Sequence, residues 1–162
     1  MPNWCYNNVI IRGQAAEIEH FKNSLLKVND QYRPLVSTVP LPELQEDEID
    51  AYIEREYGKT LYRLGYRASD LGVRERSHEM LELRVDTAYS EVALDLGSLF
   101  PKLNILLRFY EPMNNYDGFV HWIRGCVIAE GRENGEDQDS PPKLYDYRHP
   151  DDPVFYSRGG SV

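Results

Sequence analysis

The stretch LELRV, residues 81–85, alternates without a break: Leu81, Leu83 and Val85 fall on one side, and Glu82, Arg84 and, just beyond, Asp86 on the other. A two-residue period of this kind marks a strand with one face in a core and the other against a polar surface, the habit of antiparallel sheets. Such a strand needs paired neighbours and an apolar layer above it. Trp4–Arg12 supplies one neighbour, with Cys5, Val9 and Ile11 opposite Tyr6, Asn8 and Ile10, and Gly13 closing the run. The segment RASDLGVRERSHEMLELRVDTAYS reads as a hairpin. LNILLRFYE turns Leu103, Ile105, Leu107 and Phe109 inward, NNYDG supplies turn residues, and GFVHWIRGCVIAEG is long enough for an added strand that hairpins back.

Helical spacing supplies the layer. Ala15, Ile18, Phe21, Leu25 and Val28 predict a helix over about residues 15–29, and Val92, Leu96, Leu99 and Phe100 predict a second, with Ser90 as N-cap and Pro101 as the stop. Between them, RPLVSTVPLPEL reads as an extended connection, because Pro34, Pro40 and Pro42 have no backbone N–H to donate. ELQEDEIDAYIEREYG reads as an acidic helix with Leu44, Ile49, Tyr52, Ile53 and Tyr57 turned inward. Residues 58–66, GKTLYRLGY, suit either a loop or a short helical turn anchored by Leu61 and Leu64.

The order strand, helix, insertion, hairpin, helix, strand is the split βαβ arrangement, so the fold class is α+β, ferredoxin-like. It calls for an antiparallel sheet with two helices on one face, a helical insertion over about 31–66 and an added C-terminal strand. The expected core includes Trp4, Val9, Ile11, Ile18, Phe21, Leu25, Leu83, Val85, Leu96, Leu99, Ile105, Leu107 and Trp122. At 162 residues with 41% hydrophobic content the chain has enough for one core, placed at 1–130. Residues 131–162 are an acidic tail in which Leu144, Tyr145, Tyr147, Val154, Phe155 and Tyr156 are too apolar for a wholly solvated linker.

MPNWCYNNVIIRG at the start, VPLPELQ in the connection, RVDTAYSEVALDLGSLFPKLNI and FYEPMNNYDGFV resemble the YubB-like, ferredoxin-like domain family, small proteins carried by conjugative plasmids and phages. The resemblance runs over residues 1–130 as spaced blocks. It implies a fold and a mobile-element setting, and no activity. The chain departs from the family at Tyr89, where a tryptophan is usual, at Glu91 and Val92, where a proline pair is usual, and at RASDLGVRE, where the family carries a Trp-Gly-Thr-Lys-Trp block.

Function is thinly marked. A net charge of -9 argues against attachment to phosphate backbones or anionic lipid and favours a protein partner. The absence of an apolar run long enough to span a bilayer points to a cytoplasmic protein. Cys5 and Cys126 lack CxxC spacing, as His20, His78, His121 and His149 lack ligand spacing; two reduced, partly buried thiols are expected, with no metal or cofactor. Asn7 and Asn8 are poor strand residues, so hydrogen bonding explains them best, and the rings of Trp4 and Tyr6 are expected to be covered.

One candidate polar surface combines Tyr6, Asn8, Arg84, Asp86, Arg108 and Tyr110. A candidate acidic partner surface combines Glu46, Asp47, Glu48 and Asp50 with Glu133, Glu136 and Asp137. The reading is a non-enzymatic interaction protein, an acidic inhibitor or DNA mimic directed at a host nucleic-acid-binding protein. Two alternatives stay open: a single-stranded nucleic-acid binder using aromatics on an open sheet, and an enzyme, such as a tautomerase using Pro2 as a base.

Overall fold

The first strand, β1 (Trp4–Arg12), has a hydrogen-bonded neighbour on each side, and everything else is arranged around it. The computed structural model describes residues 2–134. After β1 come α1 (Ala15–Asn23), β2 (Leu25–Val28), β3 (Gln31–Ser37), a 3₁₀ turn (Glu46–Glu48) leading into α2 (Ile49–Glu56), and β4 (Leu61–Arg63). The chain continues through β5 (Gly72–Ser77), β6 (Met80–Ala88), α3 (Leu96–Leu99), β7 (Asn104–Glu111), β8 (Tyr116–Ile123) and β9 (Cys126–Asn134). The class is α+β. A six-stranded sheet runs β5-β6-β1-β7-β8-β9 with every neighbouring pair antiparallel, and a three-stranded antiparallel sheet runs β2-β3-β4.

The strand periodicity is realised directly. Cys5, Val9, Ile11, Leu81, Leu83, Val85, Ile105, Leu107 and Phe109 form one buried layer with Val120 and Trp122. Onto it pack Ile18 and Phe21 of α1, Leu96 and Phe100 at α3, and Leu25, Val36 and Leu64 from around the smaller sheet. The insertion therefore lies on the same side as α1. The far side of the smaller sheet is closed by α2, where Tyr52, Ile49 and Ile53 meet Leu26, Val28, Leu35 and Leu61.

Several expectations give way. The helix predicted to reach residue 29 ends at Asn23, where Ser24 caps it by donating its Oγ–H to the His20 carbonyl at 2.9 Å. Leu25–Val28 is instead a strand, because Asn29 and Asp30 adopt left-handed φ of 49° and 61° and turn the chain back as a two-residue hairpin. The proline-bearing connection contains β3, with Pro34 inside it, and 58–66 is neither loop nor helical turn but carries β4.

The second helix shrinks to four residues capped by Asp95, which accepts from the Ser98 N–H at 3.2 Å. The preceding segment is drawn elsewhere: the Val92 N–H goes to Asn7 Oδ1 at 2.9 Å and the Ala93 N–H to the Leu64 carbonyl at 3.1 Å. The single added strand is two, β8 and β9, joined at Arg124 and Gly125 with φ of 53° and 79°. Trp4 and Leu99 are only half-buried, and Tyr6 and Tyr57 are exposed, because neither the insertion nor a neighbouring strand reaches over those rings. Cys5 is buried and Cys126 exposed, both free, with β7 and β8 lying between their strands.

Candidate functional site

The asparagine pair of the first strand divides the molecule's polar chemistry, since adjacent strand residues face opposite ways. Asn7 points into the covered side. Its Nδ2 donates to the Cys5 and Val85 carbonyls, both at 3.1 Å, and to Thr87 Oγ1 at 2.8 Å, while its Oδ1 holds the Val92 N–H. Thr87 Oγ donates in turn to the Ser90 carbonyl. Nearby, the buried Glu111 carboxylate accepts the N–H groups of Met113 and Asn114 at 2.8 and 3.0 Å and so shapes the turn into β8.

Tyr116 donates to Glu91 Oε2 at 3.0 Å, and Arg132 Nε donates to Glu91 Oε1 at 2.6 Å. Burial, the Glu91 charge and that hydrogen bond push the Tyr116 phenol up to about 12. Burial, with the charges of Glu91 and Glu111, pushes the Cys5 thiol up to about 12 as well. A thiol so far above neutrality is a poor nucleophile. The motif blocks NWCYNN, DTAYSEV and FYEPMNNYDG therefore meet at one end of the sheet and fix each other's backbones.

Asn8 points to the other side, and there the six residues of the candidate polar surface come together. Tyr6 lies opposite Asp86 on β6 and Tyr110 on β7; Asn8 lies opposite Arg84 and Arg108. The hub is Glu82, one step along, which is buried. It accepts from Asn8 Nδ2 at 2.8 Å, Arg84 Nε at 3.0 Å and Arg76 Nε at 2.7 Å, with Arg76 Nη2 in close contact as well. Asn8 Oδ1 accepts from Arg108 Nη2 at 3.2 Å. Burial raises the Glu82 carboxyl, but the bonds from Arg76, Arg84 and Asn8 and the Arg76 charge outweigh it and hold that carboxyl below its ordinary value. Asp86, with burial alone acting on it, is pushed up.

Arg76 is absent from the sequence-derived set, all of whose members lie on β1, β6 and β7; it stands on β5, the outer strand of the hairpin with β6. His121, on the same face, is fully buried and bonds Asn104 Oδ1 through Nε2 at 2.7 Å, a structural histidine.

The acidic candidates split. Glu46, Asp47, Glu48 and Asp50 are exposed on the 3₁₀ turn and the start of α2, the outermost layer of the covered side. The Gln45 N–H donates to Glu48 Oε2 at 3.2 Å, and Asn29 Nδ2 donates to Glu46 Oε2 at 2.9 Å. Acidic residues also suit this helix start because of its dipole. Glu133 lies opposite Asp117 on the other face of the large sheet, so it cannot extend the same surface, and Glu136 and Asp137 lie outside the described residues. Glu46 and Asp50 border a groove of about 400 Å³ floored by Leu26, Leu35, Ile49 and Ile53, with Arg33 and Arg63 also lining it.

Comparison with protein-family models, with curated proteins and with solved structures finds no match to this chain. Among the described residues no group of three or more His, Cys, Asp or Glu side chains is placed to hold a metal ion, and no helix is long and apolar enough to cross a membrane.

Proposed function

We propose that this is a non-enzymatic interaction protein that takes a basic segment of a partner protein on its acidic insertion. The observation that carries the reading is the groove between the small sheet and α2: an apolar floor for a side-chain stem, with exposed Glu46 and Asp50 at its border to meet the charged end. Among the described residues, Glu46, Asp47, Glu48 and Asp50 make no ion pair with lysine or arginine, so their charge is available to an incoming cation. The net charge of -9 would speed that encounter at low salt. A DNA-binding protein of a bacterial host is the natural owner of such a basic segment, which makes the acidic helix a phosphate mimic.

The same reading treats the fold as a decorated ferredoxin-like sheet of the YubB-like kind. The order β5-β6-β1-β7, with the first strand between a hairpin strand and the strand after it, supports that. Two thiols without a disulfide suit a cytoplasmic setting.

The test is a binding assay of the full chain against basic nucleic-acid enzymes and against immobilised DNA, at low and moderate salt. Loss of a protein partner on replacing Glu46, Asp47, Glu48 and Asp50 by Ser is the expected result. Retention on DNA itself would favour the alternative of a single-stranded nucleic-acid binder, for which the grouping of Tyr6, Arg84, Arg108 and Tyr110 on one face is the supporting observation.

A further inference from the structure

The side of the large sheet that carries Asn8 is buried where it has no reason to be. Ile10 is 5% exposed, Leu106 0%, Phe119 7% and His121 0%. Ile10, Leu106 and Phe119 form an apolar cluster of their own. Side chains standing on an uncovered sheet keep their outer ends in water, and neighbours on the same face cannot close one another to that degree. Among the described residues, α1, α3 and the small sheet all pack on the opposite side, and α2 lies beyond the small sheet.

We infer that this face is the docking surface for the chain's own C-terminal segment, residues 135–162. Three observations choose that occupant. The segment departs from the end of β9 at Asn134, which pairs with Tyr116 of β8, the strand that carries Phe119 and His121. Leu106 on β7 is then two strands across, roughly 10 Å at about 4.8 Å per strand, and about 17 Å along from the level of Asn134, a reach of about 19 Å that about six extended residues cover.

The segment also has the right chemistry. Leu144, Tyr145, Val154, Phe155 and Tyr156 supply an apolar partner for the Ile10, Leu106 and Phe119 cluster. Its acidic residues, Glu136, Asp137, Asp139, Asp146, Asp151 and Asp152, outnumber Lys143, Arg148 and Arg158. On the face itself arginine leads: Arg12, Arg74, Arg76, Arg84 and Arg108 share it with Glu82, Asp86, Asp117 and Glu133. An acidic segment on a guanidinium-rich face occupies the place a nucleic-acid strand would need.

Hydroxyl-radical footprinting of the full chain, read by peptide mass spectrometry, compares the parent with a variant carrying Tyr145→Ser, Val154→Ser, Phe155→Ser and Tyr156→Ser. Oxidation of Leu106 and Phe119 is expected to rise several-fold in the variant, while Phe21 and Phe109, buried on the opposite side, stay protected. Protection of Phe119 that survives the four substitutions overturns the inference. Protection that weakens in the parent on dilution also overturns it, in favour of a second copy of the chain. A photo-cross-linking residue at Phe155 in the otherwise unchanged chain gives a reading independent of stability. Links within one chain to residues 104–111 or 116–123 support the docking, and links to residues 46–56 or between chains overturn it.

Discussion

The two faces of the large sheet are made from alternate residues of the same strands, yet they are held by different physics. On the α1 side the cover is largely apolar: Phe21 and Phe100 meet edge to face with ring centres 4.7 Å apart, and the buried amide of Asn7 spends itself on backbone and the Thr87 hydroxyl. On the other side a charged network around Glu82 sits beside a three-residue apolar cluster. Neighbouring asparagines thus do opposite work. Asn7 replaces secondary structure for the chain after β6; Asn8 links a carboxylate to a guanidinium. Residue type says little about role until the face is known.

The contrast can be broken most forcefully in the apolar layers. Leu107→Ala should cost about 2–5 kcal/mol, because the fixed packing of α1 and the small sheet leaves a cavity that cannot collapse. Leu106→Ala on the opposite face should cost less, since among the described residues its apolar neighbours are few, Ile10 and Phe119 with Met80 and Ala129, and can settle into the gap. Urea midpoints for the two variants decide it; equal losses would mean that both faces are equally rigid.

Next in size is the asparagine pair. Asn7→Ala strands the Val92 N–H in a buried site and removes the amide that donates to Thr87 Oγ1, a loss of about 1–3 kcal/mol. Asn8→Ala leaves Glu82 its two guanidinium partners and should cost about 1 kcal/mol. Hydrogen exchange at residues 88–93 sharpens the point, because only the Asn7 variant should open that segment.

Smaller still is the acid response of the network. Glu82 lies below its ordinary 4.5 when folded, so its stabilising share is complete above that value and is lost as pH falls through the lower folded value. The parent should therefore lose part of its advantage over Glu82→Gln as the pH falls below 4.5. Parallel stability curves for the two proteins would show that Glu82 is not the sensor.

The least costly test concerns the thiols. Alkylation of the native protein at neutral pH should label Cys126 alone, with Cys5 reacting only after denaturation, since burial and nearby carboxylates hold its thiol up to about 12. Rapid double labelling would mean that the α1 side opens readily.

Strand alternation was readable wherever the chain keeps strict period two, which is why β1, β6, β7 and the β5–β6 hairpin stand where expected. The misreadings have two physical sources. Leu25 and Val28 fit a helical stripe and a strand equally well over so short a run; the turn at Asn29 and Asp30 decides between them, and that pair is a hairpin signal in its own right. Arg124 and Gly125 carry the same signal between β8 and β9. The second helix fails for a reason no local pattern holds, because its backbone donors are taken by Asn7 and Leu64, far away in sequence.

The candidate polar residues were found because alternation assigns faces, and Arg76 was missed because β5 was legible only as the outer strand of a hairpin. The groove at α2 needs tertiary contacts and leaves no trace in the order of residues.

The central place of β1 also sets the tempo of maturation. Asn8 pairs with Arg84 and Arg108, so β1 waits for partners made long after it. At about 5–20 residues per second, a ribosome needs on the order of 5–20 s to deliver β7 after β1. Through that interval Val9, Ile10 and Ile11 wait without their partners, while the β2–β3 hairpin can close from neighbours only a few residues apart. A chain built this way should fold slowly for its size and lean on chaperones at β1, with the small sheet forming first as a local nucleus.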